Sequence, residues 1–257
     1  MKSKIKKILS KKGKSPIVTL TAYSKNISKI LDKYCDIILV GDSLGNVLYG
    51  MKNTHKVTLD MMIRHASSVN LGVKKSLCIV DMPKNSYNDI NKAKKNAKKI
   101  IKLTKCDGIK IESNKKNYSI IKNLVKCGIP VMGHIGFTPQ YKKKFKVEGI
   151  SYKEERDLLN EAIMIEKAGA FSIVLECIDK KVSKKITKLL KIPTIGIGSS
   201  VFCDGQVLVT DDILGLSGFY PKFVKKYVNL SKIIDKNIKK FKKDVKNRKF
   251  PKAINSF

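Results

Sequence analysis

Ionisable side chains stand at or beside the ends of several short apolar segments of this 257-residue sequence. Asp42 follows Ile-Leu-Val-Gly, Asp81 follows Cys-Ile-Val, and Glu176 follows Ile-Val-Leu. Lys110 and Glu112 alternate with isoleucines in a further apolar segment. Buried carboxylates act as general bases or hold hard cations such as Mg²⁺, and an ammonium group binds anionic substrates. The set suggests metal-assisted chemistry on an anionic substrate if the fold brings it together.

Short apolar runs must position these side chains, and they alternate with longer amphipathic stretches. The runs are about five to seven residues long, rich in Ile and Val, and apolar on both faces, which is typical of buried parallel strands. They cover 16–22, 36–41, 77–81, 108–112, 129–134, 171–176 and 192–197, with a weaker run at 212–216. The stretches between them have helical spacing, and Ser151 with Glu154 forms a capping-box pattern at one helix start.

The alternation of strands and helices favours a parallel sheet with right-handed crossovers. Seven or eight such units in about 250 residues match the size of a (β/α)8 TIM barrel. A doubly wound open sheet is the alternative, but no G-x-G-x-x-G follows the first run. We therefore predict an α/β fold, a TIM barrel that forms one domain over residues 1–257 with helical extensions at both ends.

The strand ends of such a barrel bring one set of polar residues to a single rim: Asp42, Ser43, Asp81, Lys110, Glu112, His134 and Glu176.

Each polar residue on this rim also has a structural explanation. An Asp at a strand end is often a helix N-cap, a single histidine such as His134 is often a satisfied core residue, and Glu176 could form a buried salt bridge. The whole set is harder to explain, because carboxylates on one rim repel one another and need more positive charge than Lys110 supplies. A divalent ion such as Mg²⁺ would supply it, whereas the sequence has no His and Cys cluster with zinc spacing.

A site of this composition suits enolate chemistry. A bound metal ion polarises a carbonyl and stabilises the developing oxyanion, while a separate carboxylate removes the adjacent proton. Asp42, Asp81 and Glu112 would hold the ion directly or through water. Lys110 would pair with a substrate carboxylate, and Glu176, on a separate strand, would be the base.

The formal net charge of +33 by itself favours a nucleic-acid or anionic-membrane partner. Only three of the 54 basic side chains are arginines, however, and arginine is the residue on which nucleic-acid readers usually rely. The lysines are spread over nearly every predicted helix, and Lys, Asn and Ile share A/T-rich codons, so codon bias explains the excess. The lysine-rich tail at 236–246 is interpreted as the solvated face of an amphipathic helix. A basic nucleic-acid-binding protein is the alternative.

Cysteine usage and hydropathy predict the compartment. The six cysteines are scattered, with no C-x-x-C pair, and several lie in apolar runs as small core residues do. No stretch approaches the roughly 20 apolar residues of a membrane span, and the basic segment 1–13 lacks the apolar centre of a secretory signal. We therefore expect a cytoplasmic protein with no membrane partner and no specific nucleic-acid partner.

Nine short strings, spread over nearly the whole chain, occur in the order typical of one enzyme family. They cover 18–23, 39–45, 80–83, 109–112, 133–140, 174–177, 192–198, 203–206 and 221–223. V-G-D-S-L-G and G-H-I-G-F-T-P-Q are the most specific of them. On these strings the chain resembles the ketopantoate hydroxymethyltransferase (3-methyl-2-oxobutanoate hydroxymethyltransferase) family.

The resemblance implies a TIM barrel that assembles into a homo-oligomer, typically a decamer, and an early reaction of pantothenate synthesis. Members transfer a hydroxymethyl group from 5,10-methylenetetrahydrofolate to 3-methyl-2-oxobutanoate and form 2-dehydropantoate, while Mg²⁺ holds the keto acid. The resemblance also implies three sets of site residues: the metal-side carboxylates Asp42, Asp81 and Glu112, the keto-acid contacts Asp42, Ser43, Asp81 and Lys110, and the general base Glu176.

The sequence departs from the family pattern in three places. The loop after Gln140 is shortened, because 141–145 leads straight into K-V-E-G. Lys84 stands where the family has an aromatic residue after D-x-P, and Ser199 and Ser200 replace the usual small residues. Neutral drift and an altered use of the folate donor are both open interpretations. Another enzyme of the phosphoenolpyruvate-mutase/isocitrate-lyase group is the enzyme alternative, although no cysteine motif of that group is evident.

Overall fold

Eight parallel strands form a closed barrel in the computed structural model, which describes residues 3–113, 117–142, 144–218 and 220–257. The strands are β1 Ile17–Thr21, β2 Ile37–Val40, β3 Leu77–Asp81, β4 Gly108–Glu112, β5 Val131–Gly136, β6 Ser172–Glu176, β7 Thr194–Ile197 and β8 Gly205–Leu208. Each strand pairs with the next in chain order, and β8 closes the ring by pairing with β1. The predicted TIM barrel is confirmed.

Helices connect most of the strands, as the alternating pattern predicts. They are α1 Ser3–Ser10, α2 Lys25–Leu31, α3 Leu44–Val47, α4 Leu59–Asn70, α5 Ile90–Thr104, α6 Tyr118–Lys126, α7 Tyr152–Lys167 and α8 Lys180–Leu189, with a 3-10 turn at Thr54–Lys56. Ser151 and Glu154 form the predicted capping box at the start of α7. Among the described residues, each helix is too short or too polar to cross a membrane.

The eighth strand is β8, and the prediction of a strand at 212–216 is wrong. That segment overlaps helix α9 (Thr210–Leu214), which has two acidic residues in its first turn, where the helix dipole stabilises them. β8 carries no continuous apolar run, because the exposed Gln206 interrupts it. A Cβ on Gly205 would lie 2.4 Å from the carbonyl oxygen of Ile17, so β8 needs a glycine there to approach β1.

Apolar side chains fill the amino-terminal part of the barrel interior. Alternate residues of a barrel strand point inward, and those near the strand starts are mostly Ile, Leu and Val. Ile5 and Ile8 of α1 are fully buried in this cluster, so α1 closes the amino-terminal end of the barrel. A second and larger apolar cluster lies mainly between the strands and the surrounding helices. Polar side chains therefore concentrate at the opposite, carboxyl-terminal end.

Asp204 lies directly before β8, and its hydrogen bonds join the segment after α1 to the barrel. Its Oδ2 accepts hydrogen bonds from Lys12 Nζ and from the Thr194 amide, both at 2.8 Å. Its Oδ1 accepts from the Gly13 amide at 2.9 Å, and its side chain is 4% exposed. Burial alone would raise the pKa of Asp204, but the hydrogen bonds from Lys12, Thr194 and Gly13 outweigh burial and lower this pKa.

Asp204→Ala is expected to lower the free energy of unfolding by about 3 kcal/mol, because it leaves the partly buried Lys12 and the backbone amides of Gly13 and Thr194 without their acceptor. Since the folded-state pKa of Asp204 lies below its unfolded value, this stabilisation is present above about pH 4 and is lost as the pH falls through the folded-state pKa. Urea unfolding of both proteins at neutral and acidic pH measures the difference. Asp235→Ala, which breaks an exposed pair with Lys239, is the matched control and should change little. Equal losses in the two variants would contradict the prediction.

Contacts within the chain divide it into two compact units, 1–209 and 210–257. The second unit contains α9, helix α10 (Leu230–Lys246) and a 3-10 turn at Ala253–Asn255. α10 is the predicted amphipathic helix, and none of its residues is buried. Ile238 and Phe241 on its apolar face are 60% and 52% exposed. The prediction of one domain over the whole chain stays a prediction.

Candidate active site

The carboxyl-terminal rim of the barrel carries the six residues that were predicted to bind the metal ion or the substrate or to act as the base. Asp42 and Ser43 follow β2 after Gly41, Asp81 ends β3, and Glu176 ends β6. The remaining two lie on β4, and both are buried: Lys110 and Glu112. Side chains from four strands of a parallel barrel converge at this end because all strands point the same way.

Lys110 contacts groups on both neighbouring strands. β3 and β4 pair Asp81 with Lys110 in register, and Lys110 Nζ lies 3.1 Å from Asp81 Oδ1. Lys110 Nζ also lies 3.4 Å from Nδ1 of His134 on β5. Because an ammonium group only donates, Nδ1 of His134 accepts, and the imidazole carries its proton on Nε2. Lys110 thus links an acidic side chain to a neutral histidine.

Asp42 and Asp81 are joined through a backbone amide. Asp81 Oδ2 accepts a hydrogen bond from the Asp42 amide at 3.0 Å, and Asp42 Oδ2 accepts one from Gln140 Nε2 at 2.8 Å. Ser43, the next residue, has its hydroxyl 2.8 Å from that of Tyr23. These contacts hold two carboxylates and two hydroxyls side by side at the rim.

Glu176 faces His134 across the pairing of β5 and β6. Its Oε2 lies 3.1 Å from His134 Nε2, although the direction departs from that of a regular hydrogen bond. β5 continues past His134 to Gly136, two residues beyond the predicted run. Gly136 has a φ of +90°, and a Cβ there would lie 2.1 Å from the carbonyl oxygen of Glu176, so only glycine fits. The extension brings the two strands close together beside the Glu176 carboxylate.

Burial sets the acidity of the four carboxyl groups. It raises the pKa of Glu176 to about 8 and the pKa of Asp81 to about 7, although the Lys110 charge lowers both. Burial likewise raises the pKa of Asp42 and, well above its usual value, the pKa of Glu112. Burial therefore favours the protonated form of each of these carboxyl groups, whereas nearby positive charge favours the carboxylate.

Lys110 and His134 respond to the same surroundings in opposite ways. Burial lowers the pKa of Lys110, but the charges of three carboxylates outweigh burial and raise this pKa above its ordinary value. Burial, reinforced by the Lys110 charge, lowers the pKa of His134 well below its usual value. The lysine is therefore charged and the histidine neutral, in agreement with the tautomer that their contact requires.

The donor set at the rim fits a hard divalent ion, although it is not assembled as a metal cluster. Within the described part of the chain, no three Asp, Glu, His or Cys side chains are arranged as a ready metal cluster. Asp42, Asp81 and Glu112 nevertheless offer oxygen atoms, the ligands that Mg²⁺ prefers. Asp81 Oδ1 is buried without a well-directed hydrogen bond. A cation would also relieve the excess of carboxylates over the single charge of Lys110.

Gln140 is a site residue that the sequence analysis missed. It ends the string G-H-I-G-F-T-P-Q, but no role was predicted for it. Its side chain is 1% exposed, and its side-chain and backbone nitrogens donate to Asp42 and Glu112 respectively. Its place at the end of so specific a string was the available signal. Its partners are remote in sequence, however, and only the fold brings them together.

Lys84, predicted to replace an aromatic residue of the family, contacts His55, which in turn contacts the loop after β5. Its Nζ is 3.3 Å from Nδ1 of His55, and Nε2 of His55 is 3.0 Å from the carbonyl oxygen of Pro139. The neutral histidine tautomer with its proton on Nε2 satisfies both contacts. Lys84 thus supports, through His55, the residue that precedes Gln140.

The segment after Gln140, predicted to be a shortened loop, and Ser199 both make local contacts. Phe137 and Phe145 stack with ring centroids 4.3 Å apart, on either side of Lys143, which lies outside the described residues. The Ser199 hydroxyl lies 2.5 Å from that of Ser183 on α8. Neither contact involves a predicted metal or base residue.

Comparison with known sequences identifies relatives over the full chain. A model of the ketopantoate hydroxymethyltransferase family matches residues 2–253. A 3-methyl-2-oxobutanoate hydroxymethyltransferase of Pelagibacter ubique is 54% identical over 257 residues, which is 100% of both chains. The enzyme of the same name from Chelativorans sp. is 45% identical over 249 residues, covering 95% of this chain and 88% of the relative.

Solved structures share the barrel at low sequence identity. Phosphoenolpyruvate phosphomutase from Streptomyces platensis subsp. rosaceus has a TM-score of 0.64 and 11% identity, covering 95% of this chain and 87% of that chain. Phosphonopyruvate hydrolase has a TM-score of 0.63 and 8% identity, covering 99% and 93%. At these identities the likeness shows the fold alone. The sequence relatives show more and confirm the resemblance: the chain belongs to the ketopantoate hydroxymethyltransferase family.

Proposed function

We propose that the protein transfers a hydroxymethyl group from 5,10-methylenetetrahydrofolate to 3-methyl-2-oxobutanoate and forms 2-dehydropantoate, a step of pantothenate biosynthesis. Relatives at 45% and 54% identity carry the name of this activity. The structural observation that carries the proposal is the rim cluster, in which the charge of the buried Lys110 ammonium group acts on four carboxyl groups. Such a cluster suits proton removal next to a carbonyl group.

The keto acid is proposed to bind at the rim through its charged end. Lys110 supplies a buried positive charge for the substrate carboxylate, an interaction that is strong because water is excluded. Ser43 offers a hydroxyl group that Tyr23 holds in place at 2.8 Å. Asp42 and Asp81 face the same space, so these residues together orient the substrate with its C3 carbon towards β6.

Glu176 is proposed as the general base that removes the C3 proton. A pKa of about 8, raised by burial, makes its carboxylate a much stronger base than an exposed glutamate. It lies on β6, apart from the acidic residues of β2, β3 and β4, and His134 contacts its Oε2. Glu176 therefore stays free to accept a proton when Asp42, Asp81 and Glu112 hold the metal ion.

Mg²⁺ is the proposed metal cofactor, held by Asp42, Asp81 and Glu112. When bound, it would polarise the keto group and stabilise the negative charge that develops on the keto oxygen. The three carboxylates lie on β2, β3 and β4 or directly after them, so the barrel itself fixes their spacing.

The folate is the proposed co-substrate. Once Glu176 has taken the C3 proton, C3 bonds to the methylene carbon of the folate, and the two bonds from that carbon to the folate nitrogens break. Water supplies the hydroxyl group and one proton, the C3 proton is the other, and each nitrogen takes one of these protons as tetrahydrofolate leaves. The new bond joins C3 to the transferred carbon, so C3 ends without a proton. Lys84 and the shortened loop after Gln140 border the site, and we propose that they lie on the folate side.

A homo-oligomer is the proposed assembly, as the family resemblance implies. The exposed apolar face of α10, with Ile238 and Phe241, supports this. Because each subunit carries a formal charge of +33, we expect the interfaces to be poor in lysine. The cytoplasmic location and the absence of specific nucleic-acid and membrane partners stay predictions.

Proton NMR of 3-methyl-2-oxobutanoate in D₂O tests the proposed function directly. With the purified protein and Mg²⁺, the C3 proton is expected to exchange, because Glu176 abstracts it reversibly even without the folate. Addition of methylenetetrahydrofolate to the same tube should then produce 2-dehydropantoate. A sample treated with EDTA is the control for metal dependence and should lose exchange.

Two outcomes of this experiment would change the proposal. Exchange without product would place the defect on the folate side, where Lys84 and the shortened loop lie. A folded sample with neither exchange nor product would contradict the proposed activity.

A further inference from the structure

Gln140 makes hydrogen bonds to two of the three carboxylates proposed to hold the metal ion. Its Nε2 donates to Asp42 Oδ2 at 2.8 Å and to the carbonyl oxygen of Met82 at 3.0 Å. Its backbone amide donates to Glu112 Oε2 at 2.9 Å. Its Oε1 accepts a 2.6 Å hydrogen bond from the hydroxyl of Tyr87. One buried residue therefore occupies one oxygen of each carboxylate.

The partners of the Gln140 side chain determine its orientation. If the oxygen and nitrogen of the amide exchanged places, Oε1 would face both the Met82 carbonyl oxygen and the Asp42 carboxylate, which are acceptors. In the orientation observed, both protons of Nε2 have acceptors, and the Tyr87 hydroxyl donates to Oε1. Tyr87 is itself 1% exposed. The amide is thus held rigidly by buried groups.

The loop that carries Gln140 is fixed from two other sides. The carbonyl oxygen of Pro139 lies 3.0 Å from Nε2 of His55. On the other side, Asn117 Nδ2 donates to the Tyr141 hydroxyl at 3.3 Å and to the carbonyl oxygen of Glu112 at 3.1 Å. The position of the Gln140 amide is therefore set by loops that follow β2, β3 and β4.

We propose that Gln140 is a positioning residue that presents Asp42 and Glu112 to the divalent ion, an inference that rests on the proposed function. Gln140 contacts one oxygen of each carboxylate, so the second oxygen of each would be available to hold the ion. Hydrogen bonds to metal-binding carboxylates typically change metal affinity by about 10–100-fold. Loss of the Gln140 amide therefore weakens metal binding.

Three variants test this role with Mn²⁺ as the probe, titrated into the full-length protein and followed by the EPR signal of free Mn²⁺. Gln140→Met keeps the length of the side chain and the backbone amide but removes the side-chain donor to Asp42. Tyr87→Phe removes only the hydroxyl group that donates to Gln140 Oε1. This milder change keeps the test available if Gln140→Met does not fold. Gln206→Met is the matched control, because Gln206 is exposed on β8 and donates to the Ser200 carbonyl.

The Kd for Mn²⁺ is expected to rise by about 10–100-fold in Gln140→Met, by less in Tyr87→Phe, and not at all in Gln206→Met. Excess metal should restore C3 proton exchange in Gln140→Met, which a general structural defect would not allow.

Equal Mn²⁺ affinities in Gln140→Met and the unsubstituted protein, or exchange that excess metal fails to restore, would overturn the inference while the proposed function stands. Failure of the unsubstituted protein to bind Mn²⁺ would overturn the inference and the metal assignment. Absence of exchange by that protein, measured separately, would contradict the proposed function itself.

Discussion

Replacement of Glu176 by glutamine is expected to slow exchange of the C3 proton of 3-methyl-2-oxobutanoate by on the order of 10³-fold. Glutamine preserves the shape and the burial of the side chain, but its amide does not take up a proton at neutral pH. The carboxylate, with a pKa that burial raises to about 8, is suited to accept a proton from a weak carbon acid and return it. The measurement is the initial rate of exchange by NMR at saturating keto acid and Mg²⁺.

The matched control for this prediction is Glu155→Gln on α7, where Glu155 pairs with Lys185 away from the rim. It makes the same chemical change and should leave exchange unaltered. The KM for the keto acid is expected to stay nearly constant in Glu176→Gln, because Glu176 is assigned to proton transfer and not to binding. Exchange within tenfold of the unsubstituted rate would show that another group removes the proton.

Lys110→Met is expected to raise the KM for the keto acid by roughly 30-fold and to lower kcat as well. A hydrogen bond from a buried charged donor contributes about 2 kcal/mol, which corresponds to that change in binding. Loss of the ammonium group also removes the charge that lowers the pKa of Asp81 and of Glu176, so both carboxyl groups hold protons more tightly. Steady-state kinetics at several pH values would measure the two effects.

Lys185→Met provides the control for Lys110→Met, since it removes a lysine that pairs with Glu155 at the protein surface. Lys110→Arg retains the charge with a different shape and should fall between Lys110→Met and the unsubstituted protein. Circular dichroism would verify that each variant is folded. An unchanged KM in Lys110→Met would mean that the substrate carboxylate binds elsewhere.

Most strands of the barrel could be predicted because their pattern is local. Seven apolar runs matched β1 to β7 to within two residues at each end, since strands that are largely covered on both faces are apolar along most of their length. β8 could not be predicted in the same way, because it contains the exposed Gln206 and depends on Gly205 to approach β1. Its existence follows from ring closure, which requires a partner for both β7 and β1.

Some residues of the candidate site could likewise be predicted from a local pattern, and others could not. Asp42, Asp81 and Glu176 could be recognised because each follows an apolar run, and a parallel barrel directs all such ends to one rim. Gln140 could not be recognised in this way, because its partners Asp42 and Glu112 lie 98 and 28 positions away along the chain. No local pattern encodes contacts of that range.

The positions of seven strands, the residue types at their carboxyl ends and the resemblance to a family could be recognised without the fold, because each depends on short stretches of sequence. The tertiary structure alone decided which strand closes the barrel, which amide holds Asp42, and how far burial raises the pKa of Glu176. These depend on distances between segments remote in sequence and on the exclusion of water, and both arise only when the chain packs.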